Sequence, residues 1–206
     1  MRDMGFSRKD DENSARLLST MALADSCILK TIITKDVIVC GDAKVLKRHI
    51  EKLGKNEGNG KERAIISADG ATSKLLDVGL IPDIIVSDLD GCVEDILEAN
   101  RKGAVVVVHA HGDNIHLVRE HVPALTNVVG TTQSKPFDTV YNFGGFTDGD
   151  RCAYMATAFG ANNILLLGFD FDDASVSYMK RKKLRWASYL LSILSEVVDV
   201  QWMEVC

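Results

Sequence analysis

The chain has 206 residues, of which 46% are hydrophobic and 26% charged, and its formal net charge is −5. This length and composition are typical of one globular domain, and the acidic balance argues against nucleic-acid binding, which normally needs a basic face. The longest apolar stretch near the N-terminus, 17–29, is interrupted by Asp25 and is too short to cross a bilayer. We therefore expect a soluble protein with neither nucleic acid nor a membrane among its partners.

The N-terminal residues and the cysteines bear on location. Residues 1–13, MRDMGFSRKDDEN, contain no apolar run and do not resemble a signal peptide. The five cysteines are scattered and include no C-x-x-C pair, which is typical of a reducing compartment. We expect a cytoplasmic protein whose residues 1–12 form a flexible N-terminus.

The first predicted element is a helix with Asn13 or Ser14 as its N-cap and with Ala15, Leu18 and Ala22 along one stripe. Seven short apolar runs follow, at 37–40, 64–68, 84–86, 104–108, 127–129, 140–143 and 164–167. Because these runs are continuous rather than alternating, they predict strands buried on both faces, as in parallel sheets.

Helical segments separate the predicted strands, at 43–53, 72–78, 93–101, 115–121 and 151–159, and a closing helix (180–197) and a last strand (199–205) follow them. Residues 54–62, GKNEGNGKE, predict a surface loop rather than a domain linker. This alternation predicts an α/β fold, a doubly wound, mostly parallel sheet with helices on both faces. The chain, 1–206, is expected to form this single domain.

Residues able to do chemistry gather directly after the predicted strands. They are Asp69-Gly70, Asp88-Leu89-Asp90-Gly91, His109 to Asn114, Thr131-Thr132-Gln133, Asp148 to Arg151 and Gly168 to Asp170. Open α/β sheets bind ligands outside the carboxyl ends of their strands. Six loops at that one edge therefore predict a ligand site.

The segment Asp88-Leu89-Asp90 closes the run IIVSDLDG. If the backbone is still extended there, both carboxylates point the same way and Leu89 packs behind them. Two such charges about 5 Å apart repel by roughly 3 kcal/mol at an effective dielectric constant of 20. A divalent cation would remove that repulsion, and Mg²⁺ prefers oxygen ligands. The alternative is that one aspartate only caps the next helix.

Two further acidic segments follow neighbouring strands. In Asp69-Gly70-Ala71 the glycine permits close backbone approach and the next helix N-terminus can hold a phosphate, although Asp-Gly is also a common turn. The segment HAHGDN has the metal-ligand spacing H-x-H-x-D, but a metal hydrolase would need further histidines downstream, and none follows His121. We expect Asp113 to be a third metal carboxylate, and we expect His109 and His111 to form part of the polar wall of the site.

The segment NFGGFTDGDR, 142–151, combines glycines with an aromatic and a basic residue. Phe146 could stack on a flat ring, and Arg151 could clamp a phosphate with two parallel hydrogen bonds. The alternative for Arg151 is a surface ion pair with Asp148. The basic run 180–183 could neutralise a triphosphate, although such runs are more often solvated helix faces.

Three stretches together, ADGATSKLLDVGLIPDIIVSDLDG, HAHGDN and GTTQ with NFGGFTDGDR, resemble the archaeal-type 6-hydroxymethyl-7,8-dihydropterin pyrophosphokinases. The first two are also similar, more distantly, to the thiamine pyrophosphokinase catalytic domain. The resemblance spans 68–170 and implies that Asp88, Asp90 and Asp113 hold the metal and that Gly70-Ala71 belongs to the nucleotide loop beside Asp69. The early strand, DVIVCGDA, departs from the pattern because it has one glycine where several are common, so Gly41 receives no phosphate contact.

The resemblance implies Mg²⁺-dependent transfer of pyrophosphate from ATP to the alcohol of a pterin, which releases AMP. Arg151 would contact phosphate, and Asp88 or Asp113 could accept the hydroxyl proton. A pterin edge would find donors and acceptors among polar side chains of the later loops, and Phe146 would offer a face for its ring. These polar side chains are Thr131, Thr132, Gln133, Asn142 and Asp148.

Other hypotheses stay open on the residues alone. DLDG also resembles the nucleophile loop of haloacid-dehalogenase-type phosphatases, with Asp88 as nucleophile and Asp90 as acid/base, but two strands precede it and Cys92 replaces the usual threonine. A non-catalytic nucleotide-binding module or a sugar-nucleotide transfer domain would not need three metal carboxylates. The residues alone do not distinguish a pterin from thiamine as the acceptor. Three aromatic residues near the C-terminus suggest a homodimer, namely Trp186, Tyr189 and Trp202.

Overall fold

The computed structural model describes residues 7–21, 23–54 and 63–203. Four predictions therefore lie partly outside the described residues. They concern the N-terminus before residue 7, Ala22 in the first helix, the surface loop at 55–62 and the last strand beyond residue 203.

The described residues form one sheet of eight strands in the order β6-β5-β4-β3-β2-β1-β7-β8, and every neighbouring pair is parallel. The strands are β1 (Asp36–Cys40), β2 (Ala64–Ala68), β3 (Ile84–Ser87), β4 (Val105–Ala110), β5 (Val128–Thr132), β6 (Val140–Tyr141), β7 (Asn163–Leu167) and β8 (Asp199–Trp202). The five strands β1 to β5 are buried along nearly their whole length, which explains why they are apolar without alternation.

Helices cover both faces of the sheet, so the predicted doubly wound α/β fold is confirmed. They are α1 (Arg8–Ser19), α2 (Cys27–Ile32), α3 (Leu46–Leu53), α4 (Ala71–Asp77), α5 (Val93–Arg101), α6 (Ile115–His121), α7 (Asp148–Ala158) and α8 (Tyr178–Leu194). One face packs against α2, α7 and α8, and the other against α1, α3, α4, α5 and α6. Among these helices none combines the length and apolarity that a membrane span requires.

The first helix begins earlier than predicted. Its N-cap is Ser7, whose side chain accepts a hydrogen bond from the backbone N–H of Asp10, so the predicted caps Asn13 and Ser14 are wrong. The expected flexibility is also wrong for residues 8–12, which are helical. Two acidic residues in the first turn, Asp10 and Asp11, suit the positive end of the helix dipole. Likewise α7 begins at Asp148, three residues before the predicted start.

Helix α1 is fastened to the carboxyl edge of the sheet. The buried carboxylate of Asp11 accepts hydrogen bonds from the backbone N–H of Gly112 (2.9 Å) and from the side-chain amide of Gln133 (2.9 Å). A Cβ at residue 112 would lie 2.6 Å from the Cβ of Asp10, so only glycine permits this close packing. The N-terminal helix therefore braces the loops that follow β4 and β5.

Candidate active site

Three carboxylates meet at the carboxyl ends of β2 and β3. Oxygen atoms of Asp69, Asp88 and Asp90 all lie within 4.8 Å of one another. The Ser87 hydroxyl donates to Asp69. A Cβ at residue 91 would lie 2.2 Å from Oδ2 of Asp69, so Gly91 is needed for the cluster to close. We call Asp69, Asp88 and Asp90 the aspartate cluster.

Leu89 gives the cluster its shape. The strand ends at Ser87, and Leu89 has a φ of 67°, so the extended backbone expected here is wrong. Its N–H donates to the Ser87 hydroxyl (2.7 Å) and its side chain is buried in the core, as predicted. Left-handed backbone at a non-glycine residue costs about 1–3 kcal/mol and is found at functional sites. A turn, not the strand pleat, therefore brings Asp88 and Asp90 together.

The pKa values of the cluster show that its carboxylates resist simultaneous ionisation. Burial and the charge of Asp88 raise the pKa of Asp90 to about 6, and burial also raises the pKa of Asp69. Burial alone would raise the pKa of Asp88, but hydrogen bonds from His111 and Asp90 outweigh it and lower that pKa. A bound cation would relieve the repulsion that these shifts reflect.

His111 orients Asp88. Its Nδ1 atom lies 3.3 Å from the backbone N–H of Asp113 and accepts from it, so the ring proton is on Nε2, 3.2 Å from Oδ2 of Asp88. The side-chain amide of Asn114 donates to the carbonyl oxygens of Asp88 (2.7 Å) and His109 (2.7 Å). Asn114 therefore joins the loops that follow β3 and β4.

The structure does not bring Asp113 into the aspartate cluster. Its side chain is exposed in the short 3₁₀ turn Gly112–Asn114, and His111 occupies the place beside Asp88. The third carboxylate of the cluster is Asp69, which the resemblance places beside the nucleotide loop. A metal-ligand role for Asp113 stays a prediction. The signal for Asp69 was available, because it directly follows the strand that pairs with β3.

Arg151 lies in α7 with its side chain buried, so it is not the surface ion-pair partner of Asp148. Its guanidinium donates to the carbonyl oxygens of Phe146 (3.2 Å) and Gly144 (3.5 Å), and its backbone N–H donates to Thr147 (2.9 Å). Asp148, one turn away, adds a fourth carboxylate close to the cluster. Burial and the charges of the cluster raise its pKa well above the usual range.

The residues predicted to bind substrate fall into two groups. Thr131 and Thr132 line a small cavity together with Arg151, Gly144 and other residues. The remaining side chains of the set shape the loops. The side-chain amide of Gln133 donates to Asp11. The side chain of Asn142 donates to the Ser134 carbonyl (3.0 Å) and accepts from the Gly144 N–H (3.0 Å). The backbone carbonyl of Phe146 accepts from the Arg151 guanidinium.

Two more predicted elements reach the same edge. Gly70 is the N-cap of α4, and a Cβ there would lie 2.8 Å from Oδ2 of Asp42, which follows β1. The basic run 180–183 lies in the first turns of α8 and is mostly exposed. The positive charge of Lys183 lowers the pKa of Asp90, although burial and Asp88 outweigh it.

Comparisons with known proteins identify relatives of this chain. A family model described as "6-hydroxymethylpterin diphosphokinase MptE-like" matches residues 12–175. A Methanothermobacter thermautotrophicus protein named 6-hydroxymethyl-7,8-dihydropterin pyrophosphokinase is 43% identical over 216 residues, which cover 97% of this chain and 92% of that protein. Proteins of the same name from Methanocaldococcus jannaschii and Pyrococcus furiosus are 39% and 42% identical, over 99% and 94% of this chain and 95% and 89% of their own length.

Proposed function

The chain belongs to the 6-hydroxymethylpterin diphosphokinase MptE-like family, and on that premise we propose that it transfers pyrophosphate from ATP to 6-hydroxymethyl-7,8-dihydropterin and releases AMP. The observation that carries the proposal is the aspartate cluster, which lies at the carboxyl edge of the sheet where ligands of this fold class bind. Three named relatives, each matched over nearly its full length, support the choice of reaction and of pterin.

The donor set of the cluster suits Mg²⁺. Three carboxylates within 4.8 Å of one another, two of them with a raised pKa, are hard oxygen ligands whose mutual repulsion a cation offsets. We assign the metal to Asp69, Asp88 and Asp90. When bound, Mg²⁺ would supply positive charge that neutralises phosphate oxygens.

The other charged residues of the site complement this role. The positive charge of Lys183 in α8 acts on Asp90, and Arg151 supplies a fixed charge behind Gly144, so both suit a polyphosphate. His111 holds Asp88 in one orientation through its Nε2 proton. The hydroxyl of the acceptor must lose a proton, and we propose Asp148, a carboxylate close to the aspartate cluster, as the group that accepts it.

The acceptor ring is assigned to the wall made by the loops after β5 and β6. Thr131 and Thr132 offer hydroxyl groups at the cavity, and the half-buried Phe146 offers an aromatic face beside Arg151. Gln133 and Asn142 support this wall through their hydrogen bonds to Asp11 and Ser134.

Product analysis tests the proposed reaction. The protein is incubated with ATP, MgCl₂ and 6-hydroxymethyl-7,8-dihydropterin, and the nucleotides are separated by chromatography. We expect AMP and a diphosphorylated pterin, with EDTA abolishing both. ADP as the main product would indicate an ordinary kinase, and phosphate release from simple monoesters without ATP would indicate a phosphatase that uses Asp88. AMP formed faster with thiamine would keep the mechanism and change the substrate.

The exposed apolar residues of α8 and β8 support a homodimer. Met179, Trp186, Tyr189 and Ile193 are 40–57% exposed and recur along one stripe of α8. The helix carries its basic run at the N-terminal end, whereas Glu196 and Asp199 follow its C-terminal end. Two copies of α8 packed antiparallel about a two-fold axis would bury both stripes and pair basic ends with acidic ends.

The free thiols of the described cysteines fit the reducing cytoplasm in which we place the enzyme. These are Cys27, Cys40, Cys92 and Cys152.

A further inference from the structure

Ser87, the last residue of β3, is a fully buried serine whose side chain contacts both loops of the aspartate cluster. Its hydroxyl donates to Oδ1 of Asp69, which follows β2. The same hydroxyl accepts from the backbone N–H of Leu89 (2.7 Å), the residue between Asp88 and Asp90. A backbone N–H can only donate, so the hydroxyl keeps its single proton for Asp69. One hydroxyl group therefore joins the two loops that carry the three carboxylates.

Strand β3 holds Asp69 at two points. The backbone N–H of Asp69 donates to the carbonyl oxygen of Val86 (2.8 Å), and the next residue, Ser87, donates to its carboxylate. The first contact continues the pairing of β2 with β3, whereas the second restricts the rotation of the side chain. Oδ2 then lies 2.2 Å from the position of a Cβ on Gly91, nearer than Oδ1 (3.1 Å). Ser87 thus directs one carboxylate oxygen of Asp69 toward the loop after β3.

The same hydroxyl stabilises the turn that carries the other two carboxylates. Leu89 has a left-handed backbone with a φ of 67°, and a non-glycine residue keeps such a conformation only where surrounding contacts hold it. Two such contacts are the burial of the Leu89 side chain and the hydrogen bond from its N–H to Ser87. Serine hydroxyls accept from the backbone N–H two residues on in tight turns. Loss of this hydroxyl would release Asp69 and loosen the turn together.

We propose that Ser87 is a positioning residue of the metal site, because its hydroxyl aligns Asp69 with Asp88 and Asp90 before a cation binds. Carboxylates that bind metals are held by hydrogen bonds from neighbouring groups, and loss of such a neighbour typically weakens metal binding about 10- to 100-fold. The inference rests on the proposed function, since it takes the aspartate cluster as the Mg²⁺ site. It adds a residue that acts on the metal through its ligands.

The experiment measures Mn²⁺ binding to the substrate-free protein by electron paramagnetic resonance, because Mn²⁺ prefers the same oxygen ligands as Mg²⁺. We expect Ser87→Ala to raise the dissociation constant for Mn²⁺ about 10-fold or more. Ser87→Cys refills most of the space, but a thiol is a weak donor, so Mn²⁺ binding should stay weakened in this variant.

Ser67→Ala is the matched control. Ser67 is equally buried, in the neighbouring strand β2, and its hydroxyl bonds to the hydroxyl of Thr72 (2.9 Å) and not to a carboxylate of the cluster. Both alanine variants lose one buried hydrogen bond, so both should have a lower melting temperature than wild type. Only Ser87→Ala should weaken Mn²⁺ binding.

The outcomes separate the role of Ser87 from the proposed function. Unchanged Mn²⁺ binding in Ser87→Ala, an equal loss in Ser67→Ala, or full recovery in Ser87→Cys would overturn the role of Ser87. A wild type that binds no Mn²⁺ without substrates would overturn it too, because the cluster is then not aligned in advance. If Ser87→Ala does not fold, Mn²⁺ binding by Ser87→Cys decides. The proposed function fails on a different result, the absence of AMP when wild type is given ATP, Mg²⁺ and the pterin.

Discussion

Oδ2 of Asp69 lies 2.2 Å from the position that a Cβ on Gly91 would occupy. Two loops after neighbouring strands are therefore in contact where a side chain would separate them. We predict that Gly91→Ala displaces Asp69 and lowers turnover at least about 10-fold, since misplaced catalytic groups are costly. Gly79→Ala is the control, because its Cβ meets nothing within 4 Å and its φ of +77° makes the change costly to stability alone. Equal turnover in the two variants would argue against this contact as a determinant of activity.

The aspartate cluster predicts which carboxylates are needed. Asp90→Asn and Asp69→Asn should each reduce Mg²⁺-dependent turnover at least about 100-fold, on the scale of losing a key electrostatic group. Both variants should fold, because removing one of several like charges relieves repulsion in the metal-free protein. Asp113→Asn, which changes an exposed carboxylate outside the cluster, should lose less than either. Should Asp113→Asn match Asp69→Asn in steady-state kinetics, the metal site extends beyond the three residues.

Arg151 is predicted to serve both the fold and the phosphates. Arg151→Ala leaves the carbonyl oxygens of Gly144 and Phe146 without their donor, so the free energy of unfolding should fall by about 1–3 kcal/mol. Arg151→Lys keeps the charge but loses the planar fork, so KM for ATP should rise. Urea denaturation and ATP kinetics measure the two effects separately. An unchanged KM for ATP in Arg151→Lys would mean that Arg151 only supports the backbone at Gly144 and Phe146.

The raised pKa of Asp90 predicts how the metal-free protein responds to pH. The folded-state pKa of about 6 lies above the usual 3.8, so between these values the unfolded state binds fewer protons than the folded state. The contribution of Asp90 to the free energy of unfolding should therefore fall as the pH rises from about 4 to about 6. The raised pKa of Asp69 acts in the same direction. Denaturation in EDTA across this range should show a shallower slope for Asp90→Asn, and an identical slope would contradict the prediction.

The apolar stripe of α8 predicts a dimer that a charge disrupts. Trp186→Glu places a carboxylate in the stripe next to Tyr189, whose ring lies 5.9 Å away, and should shift the protein to a monomer in light-scattering chromatography. Arg101→Glu, an exposed change on α5, is the control and should leave the mass unchanged. Because the proposed contact pairs basic with acidic ends, high salt should weaken it. A monomeric wild type at micromolar concentration would rule out this dimer.

The fold was predictable because most of its strands are recognisable as short apolar runs in the sequence. Short continuous apolar runs such as 64–68, separated by helical segments, predict strands buried on both faces, and an aspartate directly after such a run falls at the carboxyl edge. Asp88 and Asp90 were found in this way. Their convergence was predicted for the wrong reason, since tertiary burial of Leu89 stabilises a left-handed backbone that local preference disfavours.

Other parts of the site depend on contacts that no local pattern contains. Asp69 joins the cluster because Ser87 donates to it and Gly91 leaves it room, and both belong to a different loop. The contact between Nδ1 of His109 and the Thr131 hydroxyl depends on the pairing of β4 with β5. The early start of α1 reflects Ser7 as its cap and Asp11 as a tertiary anchor, whereas the charged composition of 8–12 alone resembles a solvated tail.

The two hydrogen bonds of Asp11 have a consequence for biosynthesis. Its partner Gln133 lies 122 residues further along the chain, so this brace cannot form on a nascent polypeptide until β5 and the loop after it have left the ribosome. Closing so long a loop carries an entropic cost that local elements avoid. The docking of helix α1 is therefore completed only after the chain has been made at least as far as Gln133.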